Sequence, residues 1–193
     1  MKPIERSITP LVQADIKRKM VFIAGPRQVG KTTLAAGLAP RSETTYLNWD
    51  DAEDRSRILA RQLGDTRLLV FDELHKHRKW RQYIKGLYDK IKVGILPHRQ
   101  IVVTGSAHLD WYRHGGDSLQ GRYHLARLLP LSLSEVGADS PAAMESLLRF
   151  SGFPEPFTEQ SEEFSQRWAR SYRSRLIRED LRDLEAIKDL GSL

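Results

Sequence analysis

Cysteine is absent from this 193-residue chain, which excludes a disulfide framework, a thiolate metal site and a cysteine nucleophile. Also lacking is any apolar run near the ~18 residues needed to cross a bilayer as a helix. The opening stretch, MKPIERSITPLVQADIKRKM, has basic residues but neither an apolar centre nor a small-residue cleavage site. It does not read as a secretory leader, and the expectation is a cytoplasmic protein. Internal repeats and low-complexity tracts are missing as well. What is present is 40% hydrophobic and 29% charged residues, a balance that can bury a core and is neither disordered nor membrane-like. At ~100 to 200 residues per domain, the length allows one globular domain or one with a short appendage.

The net charge is +6, and one stretch holds the excess: residues 76–100 carry eight Lys and Arg against the single Asp89. Trp80, Tyr83 and Tyr88 interleave with these cations, a mixture that suits a nucleic-acid surface. A helix with a solvated basic face gives the same total. Trp80, Ile84, Leu87 and Ile91 recur at helical spacing, which places Trp80 in the core and not on a base. A subunit or effector-domain contact is the rival reading of this stretch.

The order of elements reads as alternating strand and helix, hence an α/β fold with a parallel sheet covered on both faces. Strands are expected at 20–24, 44–47, 67–71, 101–104 and 123–129, and helices at 31–38, 50–61 and from Trp80 onward. After Leu129 the pattern changes. Ser134 is expected to cap a short helix and Ser140 followed by Pro141 to open another. Residues 151–157 (SGFPEPF) carry a glycine and two prolines and read as an ordered, non-helical corner. Residues 162–190 look like one or two polar helices. The expected division is a core at 1–135 and a helical extension at 136–193.

The sharpest signal is Gly25, Pro26, Arg27, Gln28, Val29, Gly30, Lys31 and Thr32, followed by Thr33. It fits G-x-x-x-x-G-K-[ST] between an expected strand and an expected helix, the context the pattern requires. Polyphosphate oxygens must be met by several backbone N–H groups at once; glycines let the loop wrap closely, and the following helix presents its positive end. Lys31 would supply a point charge to the β and γ phosphates and the Thr32 hydroxyl a ligand for Mg²⁺. Residues 68–73 (LLVFDE) form an apolar strand ending in two acids. Asp72 would hold the Mg²⁺ shell, and Glu73 would orient and deprotonate a water in line with the leaving group. At the end of the fourth strand, Thr104 or Ser106 is a candidate for holding that water; Ser106 as a helix cap is the alternative. ATP is preferred over GTP by absence, since no N-K-x-D stretch and no D-x-x-G follow the third strand.

The segments GPRQVGKTT, LLVFDELHK, VVTGSA and SGFPEPF, in that order, resemble the bacterial and archaeal AAA-type P-loop ATPases with this phosphate-loop signature. The resemblance implies an additional-strand P-loop NTPase fold, a five-stranded sheet in the order 5-1-4-3-2. It implies that Gly25, Gly30, Lys31 and Thr32 form the Walker A site, Asp72 and Glu73 the Walker B pair, and Thr104 or Ser106 the sensor position. Family members commonly run well beyond this length, into a winged-helix-like segment and a domain related to nuclease folds. The reading is therefore of an ATPase domain that leads to a further C-terminal domain, or that works as a homo-oligomer.

A cation that neutralises charge developing on the γ phosphate accelerates such hydrolysis by up to ~10³ to 10⁵. Arg122, where the family also places an arginine, is the candidate, acting on the nucleotide of its own or a neighbouring subunit; an ordinary salt-bridged arginine is the alternative. Arg27 is expected to point away from the phosphates. His75 and His77 flank Lys76 without further ligands nearby, so a metal site there is not expected. The functional expectation is an ATP-binding, Mg²⁺-dependent ATPase that couples nucleotide state to a partner. Its alternatives are a nucleotide-gated DNA-binding module with little hydrolysis and a P-loop kinase acting on a small molecule.

Overall fold

The strands with the least polar sequences take the middle of the sheet. In the computed structural model, which describes residues 4–105, 119–137 and 140–176, five strands lie in one parallel sheet. They are β1 (Met20–Ala24), β2 (Thr44–Asn48), β3 (Leu68–Asp72), β4 (Gln100–Gly105) and β5 (Tyr123–Arg127). The order is β2-β3-β4-β1-β5, the order expected from the P-loop resemblance, read from the opposite edge. Every residue of β1, β3 and β4 is buried, because helices cover both faces and leave no solvated side to alternate toward. The edge strand β2 instead alternates, with Thr45 and Leu47 buried and its other residues half-exposed.

One face carries Phe22, Leu69, Phe71, Ile101 and Val103 against Ile58 of α3 (Ala52–Leu59) and Trp80, Ile84, Leu87 and Ile91 of α4 (Trp80–Lys92). Trp80 is 5% exposed and tilts against Phe22 at 5.7 Å between ring centroids. This is the burial that the α4 spacing predicts. Tyr83 and Tyr88 also pack against that core. The other face lies under α1 (Thr9–Asp15) and α2 (Lys31–Ala36), whose buried residues are Val12 and Lys31, Leu34 and Ala35.

The chain forms two compact units, 1–130 and 131–193. In the second, α5 (Leu133–Val136) opens at Ser132, whose N–H donates to Glu135 Oε2 at 2.9 Å. The cap is Ser132 and not Ser134, because only Ser132 stands three residues before a glutamate that can reach back. Ser140 caps α6 (Pro141–Phe150), accepting from the Ala143 N–H. Residues 151–157 depart from the expected non-helical corner: Pro154 opens a further helix, α7 (Pro154–Glu159). A proline in the first turn has no N–H to satisfy and a φ already suited to the helix, so prolines here start the element. The last described helix is α8 (Glu162–Arg175). Trp168 and Tyr172 stack with centroids 4.8 Å apart and Phe153 tilts against both, and Trp168 Nε1 donates to Glu155.

Candidate nucleotide and metal site

The site gathers at the C-terminal ends of β1, β3 and β4. Gly25 follows β1 directly, and a Cβ there would stand 2.2 Å from the Leu128 carbonyl oxygen, so only glycine lets the loop leave the sheet at this point. Gly30 has φ 96° and caps α2 in the left-handed region, the second position where the pattern needs glycine for a backbone reason. Between them, Val29 is fully buried and its carbonyl accepts from the buried Arg6 guanidinium at 3.0 Å. With its side chain anchored in the core, what Val29 offers a ligand is its main chain. Arg6 also donates to the Leu129 carbonyl, so one cation near the N-terminus braces both the loop and the segment that follows β5.

Lys31 is 7% exposed. Its ammonium donates to the carbonyls of Gly25 at 3.0 Å and Pro26 at 2.9 Å, so the loop curls around the charge that the sequence assigns to phosphates. A buried ammonium is tolerated only when its donors are met, and these carbonyls fix the Nζ position. Thr32, next along α2, donates its hydroxyl to Asp72 Oδ2 at 2.8 Å. Arg27 is half-exposed; Gln28 and Thr33 are exposed.

Asp72 ends β3 and is 6% exposed. Besides Thr32, it accepts from Tyr46 of β2, whose phenol reaches Oδ2 at 2.6 Å, and from Thr104 of β4 at Oδ1. The parallel register sets Asp72 opposite Asn48 on one side and Thr104 on the other. Burial, and then the bond to Asp72, push the Tyr46 phenol well above its ordinary range; it stays a donor at any physiological pH. Tyr46 escaped the sequence reading. Thr104 is fully buried, and its hydroxyl orients Asp72 in place of a water. Ser106 lies outside the described residues.

The donor set fits a small hard dication. Thr32 Oγ1 and Asp72 Oδ2 are oxygens 2.8 Å apart, close to the roughly 3 Å between adjacent ligands of an octahedral ion at ~2.1 Å. Glu73 stands beside them with φ 54°, left-handed for a residue that has a Cβ, and its N–H donates to the Thr104 carbonyl at 3.0 Å. Burial raises its carboxyl above the ordinary value, with nearby Lys76 opposing. Lys76 Nζ lies 3.4 Å from Glu73 Oε2 and also pairs with Asp50; His75 Nε2 is 3.7 Å from the same Glu73 oxygen. Lys76, read from sequence as one of a run of surface cations, is instead a neighbour of the site. Its charge and spacing, three residues after Glu73, were the available signal.

Arg122 requires a correction. It immediately precedes β5, whose first residue Tyr123 pairs with Met20 at the start of β1, and its carbonyl accepts from the Met20 N–H. It therefore sits at the N-terminal edge of the sheet, one strand length from the loop, roughly 13 Å at ~3.3 Å per residue. There its Nε lies 2.8 Å from Asp89 Oδ1. The expectation that it reaches the nucleotide of its own chain is not met.

The family described as an AAA domain matches residues 17–137. An uncharacterized protein of Mycobacterium tuberculosis and another of Mycobacterium bovis are each 29% identical over 168 residues, which is 86% of this chain and 36% of theirs. The chain thus spans about a third of the length of these relatives. Among solved structures, a Thermotoga maritima RuvB variant superposes with TM-score 0.54 at 16% identity, covering 83% of this chain and 60% of that one. AMPPCP-bound DnaA from Aquifex aeolicus gives 0.52 at 15%, covering 88% and 65%. At such identities the likeness concerns the fold, which is that of P-loop NTPases. With the family match spanning most of the chain and the sheet order agreeing, the protein belongs to the AAA-type P-loop ATPase family.

Proposed function

We propose that this chain binds ATP with Mg²⁺ in the cradle of residues 25–33 and hydrolyses it, coupling nucleotide state to a partner or effector domain. The observation that carries the reading is the buried Lys31 ammonium ringed by loop carbonyls, one residue from a hydroxyl that touches Asp72. Lys31 binds the β and γ phosphates as a point charge, and the backbone of the loop positions them. Thr32 and Asp72 would hold Mg²⁺, which supplies neutralisation of the charge shared by those phosphates. Tyr46 and Thr104 hold Asp72 in one orientation. Glu73 accepts a proton from a water whose oxygen bonds to the γ phosphorus as the bond to the β-phosphate oxygen breaks, leaving ADP and inorganic phosphate. Its raised pKa makes it a better base than an exposed carboxylate. Arg122, at the N-terminal edge of its own sheet, would serve the nucleotide of a neighbouring copy; the alternative is an arginine that only pairs with Asp89.

A second reading, a nucleotide-gated module with little turnover of its own, is favoured by one observation: the Glu73 carboxylate faces Lys76 and must leave it to take a proton. The test compares wild type, Lys31→Ala and Glu73→Gln for ATP affinity and phosphate release. Lost binding in the first, and retained binding with turnover lowered by ~10² to 10⁴ in the second, is the expected pattern. Tight binding with negligible release in the wild type selects the gated module. Equal affinity in all three ends both readings. Phosphate release that appears only with an added acceptor identifies a kinase.

A further inference from the structure

A cavity of about 200 Å³ opens at the N-terminal edge of the sheet, beneath the starts of β1 and β4 and beside the end of α4. Its lining brings together Lys17, Arg18 and Lys19 from the turn after α1, Lys92 from the last turn of α4, and His98 and Arg99 from the segment leading into β4. No acidic residue lines it. Of the neighbouring carboxylates, Asp65 accepts from Arg99 at 2.9 Å and so offsets that one lining cation, Asp89 pairs with Arg122, and Asp15 lies 4.0 Å from His124. Among the described residues, none forms an ion pair with Lys17, Arg18, Lys19 or Lys92. Like charges so collected repel one another, and an apolar floor of Ile16, Met20, Ile91 and Ile101 lowers the local dielectric that would screen them.

From this we infer a second ligand site, separate from the nucleotide cradle: the cavity and its rim bind the phosphodiester backbone of a single nucleic-acid strand. The turn at 17–19 is fixed by the Arg18 and Lys19 N–H groups donating to the Asp15 carbonyl at 2.9 and 3.0 Å, so consecutive cations are presented on a held backbone. A hollow of this volume admits one phosphate with its sugar and is too small for a duplex. The exposed Lys17, Arg18 and Lys92 extend the cationic rim past what one phosphate would occupy, which a chain of phosphates matches and an isolated one does not. Of the aromatic residues in 76–100, Trp80 is in the core, Tyr83 and Tyr88 pack against it, and Tyr88 alone lines the cavity; six basic side chains against one half-buried ring favour contact with the backbone and little base preference. The site does not depend on nucleotide binding at the loop.

The test is fluorescence anisotropy of a labelled oligothymidylate of roughly 20 nucleotides, titrated with the chain in the absence of ATP. For three or four phosphate contacts, affinity should fall on the order of 20- to 50-fold between 50 and 200 mM salt. The paired substitution Lys17→Glu with Lys92→Glu should weaken binding at least about tenfold, and Lys17→Ala with Lys92→Ala by about threefold or more, with circular dichroism reporting that each remains folded. Should the Glu pair fail to fold, the Ala pair and a charge-preserving Lys17→Arg, Lys92→Arg pair, which should bind like wild type, decide the matter. Arg170→Glu with Arg173→Glu on α8 makes the same change in net charge outside the cavity. An equal loss there, an affinity indifferent to salt, no binding at 50 mM salt, or binding only to phosphatidylserine vesicles would each overturn the site.

Discussion

The two ends of one parallel sheet are built from opposite materials. At the C-terminal ends of β1, β3 and β4, Lys31 and Asp72 are nearly buried, and each is met by fixed dipoles: loop carbonyls for the ammonium, and the hydroxyls of Thr32, Tyr46 and Thr104 for the carboxylate. At the N-terminal ends of β1 and β4, cations crowd a shallow cavity with most of their heads in water. Interactions at the first end are strong because water is excluded and the partners cannot relax away; those at the second are screened by salt within about 10 Å at 0.1 M. The contrast teaches that charge alone does not locate a site. The acidic, hydroxyl-rich end holds its groups in place in advance, whereas the basic end acts through summed attraction.

The comparison breaks most easily at Gly25. Alanine there forces a Cβ to 2.2 Å from a backbone oxygen of residue 128, and neither partner is a flexible side-chain tip. Gly25→Ala should cost about 3 kcal/mol or more and abolish ATP binding, measured by thermal denaturation and titration calorimetry. Gly94→Ala is the control: φ is +76° but nothing lies within 4 Å, so only left-handed strain of about 1 kcal/mol applies and nucleotide affinity should not change.

Tyr46→Phe removes one donor from a buried carboxylate while keeping the ring. Loss of a hydrogen bond to a charged group costs about 1.5 to 3 kcal/mol, and affinity for Mg²⁺-ATP should fall because Asp72 can rotate. Because the phenol's pKa is raised in the folded chain, its stabilising bond is fully present below the unfolded value near 10 and weakens as pH climbs past it. The gap between wild type and Tyr46→Phe in urea melts should therefore hold from pH 6 to 9 and narrow above. A gap independent of pH throughout would mean that the ring, not the hydroxyl, matters.

How far the sequence displays this contrast depends on where each signal resides. β1, β3 and β4 were legible because burial on both faces produces uninterrupted apolar runs, and the phosphate loop because its chemistry is local, residue next to residue. Tyr46 was not, since an aromatic at an edge strand reads as packing until the register of β2 against β3 brings it two residues from the position opposite Asp72. Arg122 was misplaced for a related reason: a glycine-rich stretch before a strand does not tell which end of the sheet it reaches, and only the pairing of Tyr123 with Met20 does. The prolines of 151–157 failed as breakers because first-turn positions lack the hydrogen bond that proline would otherwise remove.

Glu73 lies between the two kinds of charge, half in the site and half held by Lys76. Its backbone is left-handed, and burial raises its pKa; both work against the folded state at neutral pH. A carboxyl whose folded pKa is raised favours the fold below its unfolded value of 4.5, and that contribution is lost as pH rises through the higher folded value. Glu73→Gln should thus melt at a higher temperature than wild type at pH 7 and no higher at pH 4. Glu73→Gly, which also relieves the φ of 54°, should add about 1 kcal/mol. Both should lose phosphate release, so stability and turnover move in opposite directions at one residue.

The smallest effect is expected at the Arg122–Asp89 pair, whose side chains are 31% and 43% exposed. The hydrogen bond to Asp89 holds the guanidinium's pKa up, yet an ion pair this accessible to water contributes little to folding. Arg122→Ala should shift the melting temperature by no more than about 2 °C, with the shift vanishing in 1 M salt. Affinity for ATP should be unchanged, because the chain's own cradle lies at the other edge of the sheet. Turnover separates the readings. A surface arginine leaves it untouched, whereas one that serves a neighbouring copy lowers it, and wild-type specific activity then rises with protein concentration while that of Arg122→Ala stays flat. A fall in turnover without that concentration dependence would mean that Arg122 reaches its own nucleotide after all, against the placement that the pairing of Met20 with Tyr123 gives it.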